Sequence, residues 1–125
     1  MGKISKAISQ IEEIWSPKVH EYNMYLGSFD RVGYNLTYIV AGDKNVKHHH
    51  EHYDATLCFV VGSGQVLVNE QLIKYKKGSC FKVPKGVVHQ IICDTDTLMI
   101  TLQNPATTFS AENGWGDIVF DEALF

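Results

Sequence analysis

Along most of the chain, apolar and polar residues alternate with a period of two, and turn signals interrupt the alternation at short intervals. Tyr34, Leu36, Tyr38 and Val40 interleave with Asn35, Thr37 and Ile39 just ahead of Ala41-Gly42-Asp43. Successive side chains of a strand point to opposite faces, so a segment of this kind buries one face. Residues 22–26 form a similar run before Gly27-Ser28, and residues 56–61 are more continuously apolar. Gly62-Ser63-Gly64 then turns the chain into 65–69, which predicts a hairpin. Further short strands are predicted over 72–75, 79–83, 88–93 and 97–103. Many short strands with tight connections predict an all-β sandwich or barrel, in which closure removes exposed sheet edges.

The two ends break the rhythm. Ile4, Ala7, Ile8, Ile11 and Ile14 recur at spacings of three and four, which predicts a helix over 3–15, stopped by Ser16-Pro17. After Asn104-Pro105 the chain turns acidic but keeps Phe109, Trp115, Ile118, Phe120, Leu124 and Phe125. An apolar tail of this kind is expected to pack on the barrel or cross to a second subunit. The chain thus divides into an N-terminal extension (1–18), a barrel (19–104) and a C-terminal tail (105–125). No internal repeat or low-complexity tract suggests a second domain.

Composition narrows the functional classes. The 125 residues are 45% hydrophobic and 20% charged, as in an ordinary soluble domain, and the formal net charge is −3. That balance gives no electrostatic reason to expect nucleic acid as a partner. Lys74, Lys76 and Lys77 around Tyr75 read as a solvated strand end. No apolar run approaches the roughly 20 residues that span a bilayer, and the first fifteen residues lack the apolar core of a secretion signal. Cys58, Cys80 and Cys93 are odd in number and form no CxxC pair, which fits reduced thiols and a cytoplasmic location.

The chemistry concentrates in two stretches. His48, His49, His50 and His52 lie within five residues, followed by Tyr53 and Asp54. On an extended segment, residues two apart share a side, so His48 pairs with His50 and His50 with His52, while His49 faces outward. Imidazole nitrogens with a nearby carboxylate suit a first-row divalent metal. In the second stretch, strand 79–83 runs into Pro84-Lys85-Gly86, a turn that can return His89 to the same side of the sheet. Tyr53, Tyr38 and Gln90, with Tyr34, are candidates for acid/base work beside such a metal, and Cys58 is a candidate redox-sensitive thiol. His20 stands alone and reads as a surface or structural residue.

These two stretches resemble the paired motifs of the cupin superfamily. Gly42, His48, His50 and Asp54 are similar in spacing to the first motif, and Gly78, Pro84, Gly86 and His89 to the second. The resemblance implies a single-domain antiparallel jelly-roll barrel with a metal held by His48, His50, Asp54 and His89. The family's usual acid is Glu, one methylene longer than Asp54, so His52 is the alternative fourth ligand. Iron, manganese or nickel suits an open site of this kind, and zinc is the further candidate. The implied function is that of a metal-dependent enzyme acting on a small polar metabolite by oxygenase, isomerase or lyase chemistry, with the chain forming a homodimer. A non-catalytic sensor of a sugar or other small molecule is the alternative, and an accessory subunit docked on a larger enzyme is a third reading.

Overall fold

The computed structural model describes residues 12–16, 19–106 and 118–122, which build two antiparallel sheets. The first sheet contains β1 (Glu12–Ser16), β2 (Val19–Phe29), β3 (Val32–Ile39), β5 (Asp54–Val61), β8 (Cys80–Val83) and β10 (Thr97–Asn104). Its strand order is β1-β2-β3-β10-β5-β8. The second contains β4 (His48–His49), β6 (Gly64–Val68), β7 (Gln71–Tyr75), β9 (His89–Cys93) and β11 (Val119–Phe120), ordered β11-β4-β9-β6-β7. Neighbours distant in sequence, such as β3 beside β10 and β4 beside β9, give the jelly-roll topology.

The predicted strands form because each has one side to bury. Ala55, Leu57 and Phe59 of β5, Met99 of β10 and Ile39 of β3 meet Val66, Tyr75, Ile91 and Cys93 of the other sheet in one core cluster. Phe59 and Tyr75 stack across the interior with ring centroids 3.9 Å apart, and the Tyr75 hydroxyl lies 2.6 Å from Thr97 Oγ1. At Gly64 a side chain is excluded altogether, since a Cβ would overlap the Ile92 carbonyl oxygen. In β3 the inward set is Asn35, Thr37 and Ile39, and the more apolar Tyr34, Leu36 and Tyr38 face outward, half-buried. One end of the interior is therefore oil-like and the other polar.

The helix expected over 3–15 is corrected where the chain is described. Glu12–Ser16 is a strand, pairing with β2 from Glu12 opposite Asn23 to Ser16 opposite Val19. An isolated short helix is marginal in water, whereas the edge of β2 offers a full row of unpaired N–H and C=O groups. Residues 3–11 lie outside the described residues. In the C-terminal tail, β11 pairs with β4, placing Val119 opposite His49 and Phe120 opposite His48.

Candidate metal centre

Two backbone alignments bring the distant histidines together. The segment after Gly42 runs antiparallel to β9. Gly42 N donates to Cys93 O (3.0 Å), Cys93 N to Asp43 O (2.9 Å) and Asn45 N to Ile91 O (3.1 Å). The alignment continues until His48 stands directly opposite His89. The second alignment joins the two motifs, because Gly86 N donates to the carbonyl of His50 at 2.6 Å. Gly86 holds a φ of +81°, a left-handed conformation that glycine adopts without penalty, and the Pro84–Val87 bond of 3.2 Å closes the turn.

His48, His50 and His89 each offer a ring nitrogen, and these atoms all lie within 4.8 Å of one another. All three side chains are buried. Their ring centroids are separated by 4.2 Å (His48 to His89), 5.0 Å (His48 to His50) and 5.1 Å (His50 to His89). His48 Nδ1 lies 2.6 Å from Val46 O, and His89 Nδ1 lies 3.0 Å from Val87 O. A carbonyl can only accept, so in both rings Nδ1 carries the hydrogen and the lone pair of Nε2 is left for a ligand. Burial holds His48 well below the ordinary histidine range, and the neighbouring His89 and His50 push it further the same way. Burial likewise lowers His89. His48 and His89 are thus held as neutral imidazoles, the form that binds metal.

The remaining candidate residues are placed differently. Asp54 does not join the cluster: its Oδ1 accepts from Lys85 N at 2.9 Å, and its side chain lines a groove with Thr56 and Lys82. Strand parity is the reason, since Ala55, Leu57 and Phe59 occupy the inward positions of β5 and Asp54 begins the outward set. His52 is exposed in the bend before β5 and is also outside the cluster. His49 faces outward, with Nδ1 2.8 Å from Asp121 Oδ2, and that carboxylate raises its pKa.

Of the acid/base candidates, Tyr53 is at the site, its ring stacked on His50 at 4.3 Å and its hydroxyl 3.3 Å from His50 Nε2. Tyr38 lies outside the barrel and donates to Asp96 Oδ2 at 2.7 Å. Gln90 is buried behind the histidine strand, where Nε2 donates to Asn45 O (2.7 Å) and Glu122 Oε1 (3.2 Å). Tyr34 is a half-buried outward residue of β3, and Cys58 stands opposite Cys80 between β5 and β8.

The three histidines and Tyr53 line a cavity of about 40 Å³, together with Asn23, Asn35, Thr37, Thr101 and Gln103. Reading the histidines alone misses this polar wall. Its signal lies in the alternation itself, which places polar residues at the inward positions of β3 and β10.

Comparison with known proteins agrees with this geometry. The cupin domain family matches residues 35–102, just over half of the chain. Among solved structures, KdgF from a Halomonas species aligns with a TM-score of 0.67 at 18% identity, covering 77% of this chain and 87% of that one. A predicted oxalate decarboxylase from Thermotoga maritima gives 0.68 at 17% identity, covering 78% and 93%. A salicylate 1,2-dioxygenase from Pseudaminobacter salicylatoxidans gives 0.68 at 14% identity, with 82% of this chain aligned to 33% of that longer one. No curated protein matches the chain. The two histidine motifs on facing register positions, the double-sheet barrel and the family match lead to one conclusion: the chain belongs to the cupin family.

Proposed function

We propose that His48, His50 and His89 hold one divalent metal ion and that the protein is a metal-dependent enzyme acting on a small polar metabolite. The observation that carries this is the convergence of three buried imidazoles within 4.8 Å, two of them held neutral with Nδ1 committed to backbone carbonyls. A bound iron, manganese, nickel or zinc ion would supply a Lewis acid for a carbonyl, carboxylate or hydroxyl oxygen, and iron also gives access to dioxygen chemistry. Three protein ligands leave positions open for substrate, as in catalytic rather than structural sites. A neutral donor set leaves the charge of the cation uncompensated, which favours an anionic group on the substrate. The Tyr53 hydroxyl is the side-chain group best placed to hand a proton to or from a bound molecule. Two proteins of similar fold are named for small carboxylates, oxalate and salicylate, which supports this substrate class.

Metal analysis of the purified protein tests the reading. About one ion per chain is expected, falling to near zero in His50→Ala and in His89→Ala. A wild-type protein that neither retains metal nor gains thermal stability from added iron, manganese, nickel or zinc would refute it. Turnover of small acids by the loaded protein separates the enzyme from the alternative sensor, for which ligands stabilise the fold without being consumed. The homodimer and the cytoplasmic location are part of the same proposal, and size-exclusion chromatography checks the former.

A further inference from the structure

The cavity wall on the sheet facing His89 holds an unfinished hydrogen-bond network. Asn23 of β2 and Asn35 and Thr37 of β3 are each 5% exposed or less and line the cavity that His48, His50 and His89 also line. Asn35 Nδ2 donates to Asn23 Oδ1 (3.0 Å) and to Thr37 Oγ1 (3.2 Å), and Thr37 Oγ1 donates to Asn23 Oδ1 (2.7 Å). The triangle closes on itself and, among the described residues, leaves two buried atoms without a hydrogen-bond partner, Asn23 Nδ2 and Asn35 Oδ1. Turning both amides over exchanges their roles but leaves the same inventory, one amide donor and one amide acceptor. Buried polar groups in native proteins are nearly always paired, so two vacancies on one cavity wall mark a place where another molecule completes the bonding.

We propose that Asn23 and Asn35 form the hydroxyl-binding subsite for a small hydroxylated acid. The proposal rests on the metal reading for the acid end of the molecule and on the amide pair for the other end. A hydroxyl group both accepts and donates, so one such group answers both vacancies. A carboxylate only accepts, an ammonium only donates, and a methyl group does neither. Among the described residues that line the cavity there is no Lys, Arg, Asp or Glu, which favours an uncharged group at the amide end. At about 40 Å³ the cavity has room for roughly three waters at ~10–15 Å³ each, which limits the occupant to a few non-hydrogen atoms.

Glycolate and propionate test this, because they have the same shape and differ only in a hydroxyl for a methyl group. Binding to the zinc-loaded protein is measured by calorimetry, with metal content determined separately on every sample. Glycolate is expected to bind at least about 10-fold more tightly, since a site built around a hydroxyl leaves its polar groups unpaired against the analogue. In Asn23→Leu and Asn35→Leu the difference should collapse to about 2-fold or less, with metal content unchanged. Should these variants fold poorly, side-chain amide NMR of the wild type decides: glycolate should shift the Asn23 and Asn35 NH2 resonances and propionate should not. If the chain holds no metal, the metal reading fails by itself, and methyl glycolate against methyl propionate poses the same question to the metal-free protein. Equal binding within the pair used, or a preference that survives both leucine variants, would overturn the subsite and make the triangle a purely internal tie between β2 and β3.

Discussion

Burial and mutual repulsion keep His48 neutral, and burial does the same for His89, which gives the metal-free protein a pH dependence of definite sign. Unfolded, each ring titrates near 6.5; folded, each titrates lower. Below pH 6.5 the unfolded chain therefore binds protons that the folded chain does not. Stability falls as the pH drops through that window, by up to about 1.4 kcal/mol per pH unit for each ring, and levels off below the folded values. Urea unfolding of metal-free protein between pH 7 and pH 5 measures this, and His48→Asn should flatten the curve. His49 acts oppositely, because the Asp121 carboxylate raises it. Its contribution is fully present below 6.5 and is lost as the pH rises through the raised value, so the two effects occupy different windows. At this scale the sequence is informative: the spacing of His48 and His50 already places both rings on one side of the chain.

Among the elements, the turn between β8 and β9 shows how a carboxylate near a histidine cluster can serve another purpose. Asp54 opens β5 on its outward side and accepts from the Lys85 amide, bracing the turn whose next residue, Gly86, bonds to His50. Asp54→Ala should destabilise the fold by about 0.5–1.5 kcal/mol, the worth of one hydrogen bond, while metal content stays at the wild-type level. Chemical denaturation and metal analysis of one sample check both halves, and a loss of metal without loss of stability would return Asp54 to the ligand set. The sequence places Asp54 close to the histidines but does not count the pleat between them; the irregular backbone at Glu51–Tyr53 sets that parity. Glu12–Ser16 is a strand rather than the end of the expected helix for a related reason, since a period of three or four in isoleucines says nothing about an open strand edge nearby.

For the molecule as a whole, the returning C-terminal strand secures the histidine loop from outside. Glu122 Oε1 accepts from Lys47 N (3.0 Å) and Gln90 Nε2 (3.2 Å), and Asp121 N donates to Lys47 O (2.8 Å). These contacts brace Lys47, the residue before the first metal-binding candidate, and Gln90, the residue after the last. Glu122→Ala is expected to speed hydrogen exchange at the Lys47 amide by about 10-fold, the equivalent of roughly 1.4 kcal/mol of lost local stability, and to weaken metal retention. Unchanged exchange at Lys47 would show that Glu122, just after β11, carries no such function.

By itself the sequence determined the β architecture and the identity of the three histidines, because strand alternation, glycine turns and the spacing of the two motifs are local properties of the chain. Tertiary structure alone decided which groups share the interior with them. Pairing of the Gly42 segment with β9 sets His48 against His89, pleat parity turns Asp54 outward, and facing sheets bring Asn23 and Asn35 to the same cavity. Contacts between residues far apart in the chain depend on register and on which face is buried, and neither is written in any short stretch of residues.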